Sequence, residues 1–132
     1  MTGNQMKDLT NLERAVLEKL LDGDNAVLAM LREQAKQARL AKRENTGAGF
    51  YCDIEVASDA PMVLGDFHLG DVQAMITGLE HGAGFVLFVR GGRINMLEGY
   101  TYDEPWPDQV LDFSLKYSDP ARKAELAKLV TQ

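Results

Sequence analysis

The chain has 132 residues, 45% of them hydrophobic and 26% charged, with a formal net charge of −6; that is one domain's worth of sequence with enough apolar material for a core. One cysteine, Cys52, excludes an internal disulfide framework and a cysteine zinc cluster, and two histidines, His68 and His81, exclude a polyhistidine metal site within one chain. No leader-like apolar start is present, and no apolar run approaches the roughly 20 residues of a membrane span.

The expectation is therefore one α+β domain over residues 1–132, cytoplasmic, without a cofactor, and binding neither membrane nor nucleic acid. The charge is unevenly spread. Residues 32–43 carry five basic side chains against one acidic, whereas residues 44–119 carry three against thirteen. An acidic middle repels nucleic acid and steers basic partners.

Thr10-Asn11-Leu12-Glu13 reads as a capping box, in which hydroxyl and carboxylate each satisfy the other residue's backbone N–H. Leu12, Val16, Leu17 and Leu20 follow at helical spacing. Asp22-Gly23-Asp24 stops that helix and starts another, predicted to run through Val27, Leu28, Leu31, Ala35 and Ala38 to about Glu44. On that reading Arg32, Lys36, Arg39 and Arg43 form one basic helical stripe.

From Phe50 the period changes to two. Phe50, Cys52, Ile54 and Val56 alternate with Tyr51, Asp53 and Glu55, as in a strand with one buried face. Cys52 then falls on the apolar side, as a packing thiol. A second strand is predicted within 66–76, with Gly70 as a bulge. Phe85 to Val89 and Ile94 to Leu97 flank Gly91-Gly92, a two-residue hairpin. With a regular ladder, Leu87 faces Met96 and Phe85 faces Glu98, which places Glu98 at the edge of the apolar face. Phe113 to Tyr117 suits a last short strand. Asp119-Pro120 then caps a terminal helix with Leu126, Leu129 and Val130 as its contacts. Two N-terminal helices, a mainly antiparallel sheet of four to five strands and one C-terminal helix result, an α+β arrangement.

Gly-Ala-Gly-Phe occurs twice, at 47–50 and 82–85. Both copies precede strands, whereas a phosphate-cradling loop follows a strand and opens a helix, so they read as strand entries or close-packing points. No serine sits in a nucleophile elbow. His68 with Asp71, three residues on, and His81 beside Glu80 are the histidine–acid pairs that could in principle supply a general base. The densest chemical segment is Leu97 to Pro107, which gathers Glu98, Tyr100, Tyr102, Asp103, Glu104 and Trp106.

Two stretches, Gly82 to Val89 and Leu97-Glu98-Gly99-Tyr100-Thr101-Tyr102-Asp103-Glu104-Pro105-Trp106-Pro107, together with Phe67 to Val72, resemble a group of small uncharacterised bacterial proteins. The resemblance spans roughly residues 46–113. In size and charge the chain is similar to immunity proteins that neutralise partner toxins. The leading expectation is a non-enzymatic binding protein, an immunity-type inhibitor of a basic toxin or enzyme. Its contact surface would be Tyr100, Tyr102, Asp103, Glu104 and Trp106, with Asp53 and Glu55 as the acidic surround. The alternative is a small-molecule-binding protein or hydrolase with a pocket around His68 and Glu98. Self-association as a homodimer is a third class.

Overall fold

The computed structural model describes residues 8–118 and Arg122. Two helices, α1 (Asn11–Leu20) and α2 (Ala26–Ala35), precede six strands: β1 (Arg39–Asn45), β2 (Gly49–Glu55), β3 (Phe67–Ile76), β4 (Ala83–Arg90), β5 (Arg93–Thr101) and β6 (Phe113–Tyr117). They form one antiparallel sheet in the order β1-β2-β5-β4-β3-β6. This is an α+β fold, with six strands where four to five were expected. The terminal helix predicted after Asp119-Pro120 lies outside the described residues. No helix among the described residues is long and apolar enough to cross a membrane.

α1 starts as expected. Glu13 N–H donates to the Thr10 hydroxyl at 3.1 Å, and Thr10 N–H donates to the Glu13 carboxylate at 2.9 Å. Asn25, rather than Asp24, caps α2 by accepting from the N–H groups of Val27 and Leu28. Val16, Leu17, Leu20, Val27, Leu28 and Leu31 are buried, and they meet Cys52, Val72, Phe85, Leu87 and Leu97 of the sheet. α1 packs over β3, β4 and β6, and α2 over β5. Each such leucine or phenylalanine removed from water contributes roughly 1.5–3 kcal/mol.

Two expectations need correction. The second helix ends at Ala35, not near Glu44, and residues 39–45 form the edge strand β1. Lys, Arg, Glu and Ala favour helix, but pairing with β2 fills the ladder beside an otherwise open edge, and tertiary context overrides propensity. Ala38, fully buried, marks the turn between the two elements. The basic stripe therefore dissolves. Arg32 donates to the carbonyls of Leu21 and Gly23, Lys36 pairs with Glu33 at 2.7 Å, and Arg39 and Arg43 stand on a strand.

The second correction concerns register. Gly91 and Gly92 both take positive φ, 58° and 79°, so the hairpin turn is of the predicted kind, and Arg90 faces Arg93 and Val89 faces Ile94. The ladder then shifts: Phe88 pairs with Met96, Leu87 with Leu97, Val86 with Glu98 and Phe85 with Gly99. Asn95 is the extra residue, a bulge that turns everything after it over by one position. Leu97, Gly99 and Thr101 consequently point into the core, and Met96, Glu98 and Tyr100 point away from the helices.

The repeated Gly-Ala-Gly-Phe plays the same part in both places. Gly47 and Gly82 take positive φ, 90° and 72°, at the two strand entries. Gly49 and Gly84 admit close neighbours. A Cβ on Gly49 would lie 1.9 Å from the Gly99 carbonyl oxygen, and one on Gly84 would meet the Tyr100 ring at 2.5 Å.

A buried amide joins helix to hairpin. Gln34, 0% exposed, donates to the carbonyls of Pro61 and Gly92 at 2.7 and 2.9 Å and accepts from Ile94 N–H at 2.8 Å.

Candidate functional site

With both described helices on one side of the sheet, the other face has no element over it among the described residues. β2 contributes Tyr51, Asp53 and Glu55 to this face; β5 contributes Met96, Glu98 and Tyr100; β4 contributes Val86 and Phe88; β3 contributes His68. Strand pairing brings these residues together from separate parts of the sequence. Tyr51 stands opposite Glu98, which stands opposite Val86. Tyr51 is exposed, whereas Val86, Phe88, Met96, Glu98 and Tyr100 are half-buried by one another. The result is an aromatic and thioether surface with a carboxylate at its centre.

The tyrosines of the Leu97 to Pro107 segment extend this surface. Tyr100 lies over Gly84 and meets Tyr102 edge to face, with ring centroids 5.6 Å apart and planes at 85°. Gln73 donates to the Tyr102 hydroxyl at 3.1 Å. Burial pushes the Tyr100 hydroxyl's pKa up, and Tyr102 and the Glu98 carboxylate add to the shift.

The rest of that segment does other work. Asp103 is exposed in a left-handed turn, φ 63°, which sends the chain around the sheet edge. The Glu104 carboxylate accepts from the backbone N–H groups of Glu80 and His81, at 2.8 and 2.9 Å. Those two bonds hold its pKa below the ordinary carboxylate range. Trp106 passes to the opposite side of the sheet. It stands edge-on to Phe50 at 5.2 Å and to Phe85 at 6.4 Å, and its backbone N–H donates to the Gly47 carbonyl at 2.8 Å. Of the seven residues expected to form one contact surface, Tyr100, Asp53 and Glu55 stand on the open face, but Tyr100 lies opposite Gly49 and Asp53 opposite Met96, so the acids are well along the ladder from it. Tyr102 reaches toward Gln73 on β3, Asp103 sits in the turn beyond, and Glu104 and Trp106 lie away from the face.

The acidic surround is also moderated. Glu55 pairs with Arg39 at 3.0 Å, and Asp53 faces Lys42 in the β1–β2 register. The basic residues assigned to a separate helix in fact flank the acids of β2. Exposed pairs of this kind contribute little to stability, but they leave Glu98 as the central carboxylate of the face.

His68 and Glu98 share the open face without converging. His68 stands beside Phe88, ring centroids 6.1 Å apart, while Glu98 faces Val86, two residues further along β4 and on its other side. With neighbouring strands ~4.8 Å apart, the two backbones are about 10 Å apart across the sheet. Asp71, the acid set beside His68 in the sequence reading, is occupied elsewhere: Arg122 donates to both of its oxygens, at 2.6 and 2.7 Å.

No protein-family model, no curated protein and no solved structure matches this chain.

Sequence reasoning missed one polar cluster on the helix side. Glu13, buried, accepts at one oxygen from Thr10 N–H and Arg43 Nη2, and at the other from Arg43 Nε and the Cys52 thiol at 3.2 and 3.3 Å. Burial, then the Glu13 carboxylate, pushes the Cys52 thiol up to about 12, so it is a thiol and not a nucleophilic thiolate at neutral pH. The capping box was legible; its second use was hidden because Arg43 was assigned to a helix. Glu13 and Arg43 stand at the end of a cleft of about 680 Å3, with Phe50, Trp106 and Leu111 along its walls.

Proposed function

We propose that the chain is a non-enzymatic binding domain of the immunity type, which inhibits a basic toxin or enzyme by docking it on the open sheet face. The observation that carries this reading is the set Tyr51, Val86, Phe88, Met96 and Tyr100 gathered around Glu98 on a face with no covering element among the described residues. Aromatic and methionine side chains supply contact area at low entropic cost. Glu98, ringed by apolar groups, favours an arginine or lysine entering from the partner, and the excess of acid in the middle of the chain steers such a partner in. Glu104 and Trp106 support the fold around this face and are not part of the contact.

Parallel affinity capture from the cells that express the protein tests the reading. Wild type and Glu98→Lys are immobilised at low salt, and the eluates are compared. A stoichiometric basic protein retained by wild type, released by added salt and lost from Glu98→Lys is the expected result. Equal retention by both chains contradicts the assignment of the open face.

A further inference from the structure

The cleft beside α1 is independent of the open face and has its own chemistry. Its volume of about 680 Å3 lies within the range of small-molecule sites, roughly 300–1,000 Å3. It runs between the first turn of α1, the β1–β2 turn and the 106–113 segment. Its apolar lining is made by Phe50, Trp106 and Leu111, with the Phe50 and Trp106 rings edge to face at 80°.

The other end is polar, and its hydrogen-bonding capacity is lopsided. Each carboxylate oxygen of Glu13 already accepts two bonds. Arg43 retains N–H donors beyond the two it gives Glu13, and its side chain is 29% exposed. The indole N–H of Trp106 has no acceptor among the described residues. Spare donors, a saturated carboxylate and an aromatic wall together ask for a flat apolar body that carries an acceptor-bearing head. Asp108, exposed at the rim, is screened by solvent.

We propose that this cleft binds a small amphipathic anion: a planar aromatic carboxylate or sulfonate whose ring lies against Phe50 and Trp106 and whose head accepts from Arg43. Binding leaves the open sheet face untouched, so the two sites operate separately.

Trp106 is the only tryptophan in the chain, and its fluorescence reports the cleft wall directly. The full chain is titrated with 8-anilinonaphthalene-1-sulfonate and, separately, with N-phenyl-1-naphthylamine, which has the same rings without the sulfonate. The expected result is saturable one-to-one quenching by the sulfonate, with binding of the uncharged probe about tenfold weaker. Leu111→Asp, at a position 70% exposed and therefore tolerant of change, weakens the sulfonate by about tenfold or more. Asp108→Lys, also at an exposed position, tightens it. Tyr51→Lys on the open face leaves it unchanged. Absence of saturation, equal affinity for the two probes, or loss in Tyr51→Lys with retention in Leu111→Asp overturns the proposal.

Discussion

Arg43 on β1 donates from Nε and Nη2 to the two carboxylate oxygens of Glu13 on α1, thirty residues away in sequence. That pair ties the first helix to the edge strand of the sheet. Glu13 is almost fully buried, with 4% of its side chain exposed, and Arg43 is its counter-charge. Removing the guanidinium leaves a buried carboxylate without a cation. Arg43→Ala is therefore expected to lower unfolding free energy by about 3 kcal/mol, the low end for a broken buried pair because Arg43 is partly solvated. Urea unfolding measures it; a loss below about 1 kcal/mol would place the pair among the weak surface bridges.

Gln34 predicts a second stability effect. Leucine has similar size but cannot accept from Ile94 N–H or donate to Pro61 and Gly92. Gly92 keeps a second donor, Val63 N–H at 3.0 Å, so the losses are at Ile94 and Pro61. Pro61 is exposed and its carbonyl can turn to water, so Gln34→Leu should cost about 1–3 kcal/mol, one unsatisfied buried group at Ile94. Its mark is local: amide exchange at Ile94 accelerates, while that of Val16 in α1 follows the global loss.

Cys52 supplies a chemical test with a pH sign. Its thiol ionises only near 12 in the folded chain, so the folded state holds a proton that the unfolded state gives up near 8.5. Stability from this group is intact below that lower value and falls as pH rises toward 12. At pH 8 the native thiol should resist Ellman's reagent and become reactive only on unfolding. Rapid native modification would contradict the burial and bonding described.

Glu104 works in the opposite direction. Its folded pKa is lowered by two backbone donors, Glu80 and His81, so its contribution is present above the ordinary carboxylate range. It is lost as pH falls through the folded value. Glu104→Ala should speed hydrogen exchange at the Glu80 and His81 amides without moving the Tyr51–Glu98 face. Unaltered exchange at those two amides would show that the carboxylate does not order the 79–82 turn.

Much of the architecture was legible because apolar spacing reports which face is buried. Leu12, Val16 and Leu20 marked α1, the alternation from Phe50 marked β2, and Gly91-Gly92 marked the tightest turn. What was hidden depends on pairing partners distant in sequence. Residues 39–45 are good helix formers and become a strand only because β2 offers a ladder. Asn95 carries no local sign of being a bulge, yet its insertion moves Glu98 from the expected core edge to the centre of the opposite face. Gln34 sits in a helix pattern like any surface glutamine, and its burial is set by Pro61 and Ile94. The Leu97 to Pro107 cluster looked like one site because its residues adjoin in sequence; β-pleating and the Asp103 turn distribute them over two sides of the sheet.

The central claim is that the open face is where a protein partner docks. Hydroxyl-radical footprinting of the captured complex tests it most directly, since the face and the cleft carry different oxidisable side chains. The account predicts protection of Tyr51, Phe88, Met96 and Tyr100 on complex formation, with Trp106 and Leu111 unchanged. Protection of Trp106 and Leu111, with Tyr51 and Met96 as reactive as in the free chain, would contradict it and move the partner to the helix side.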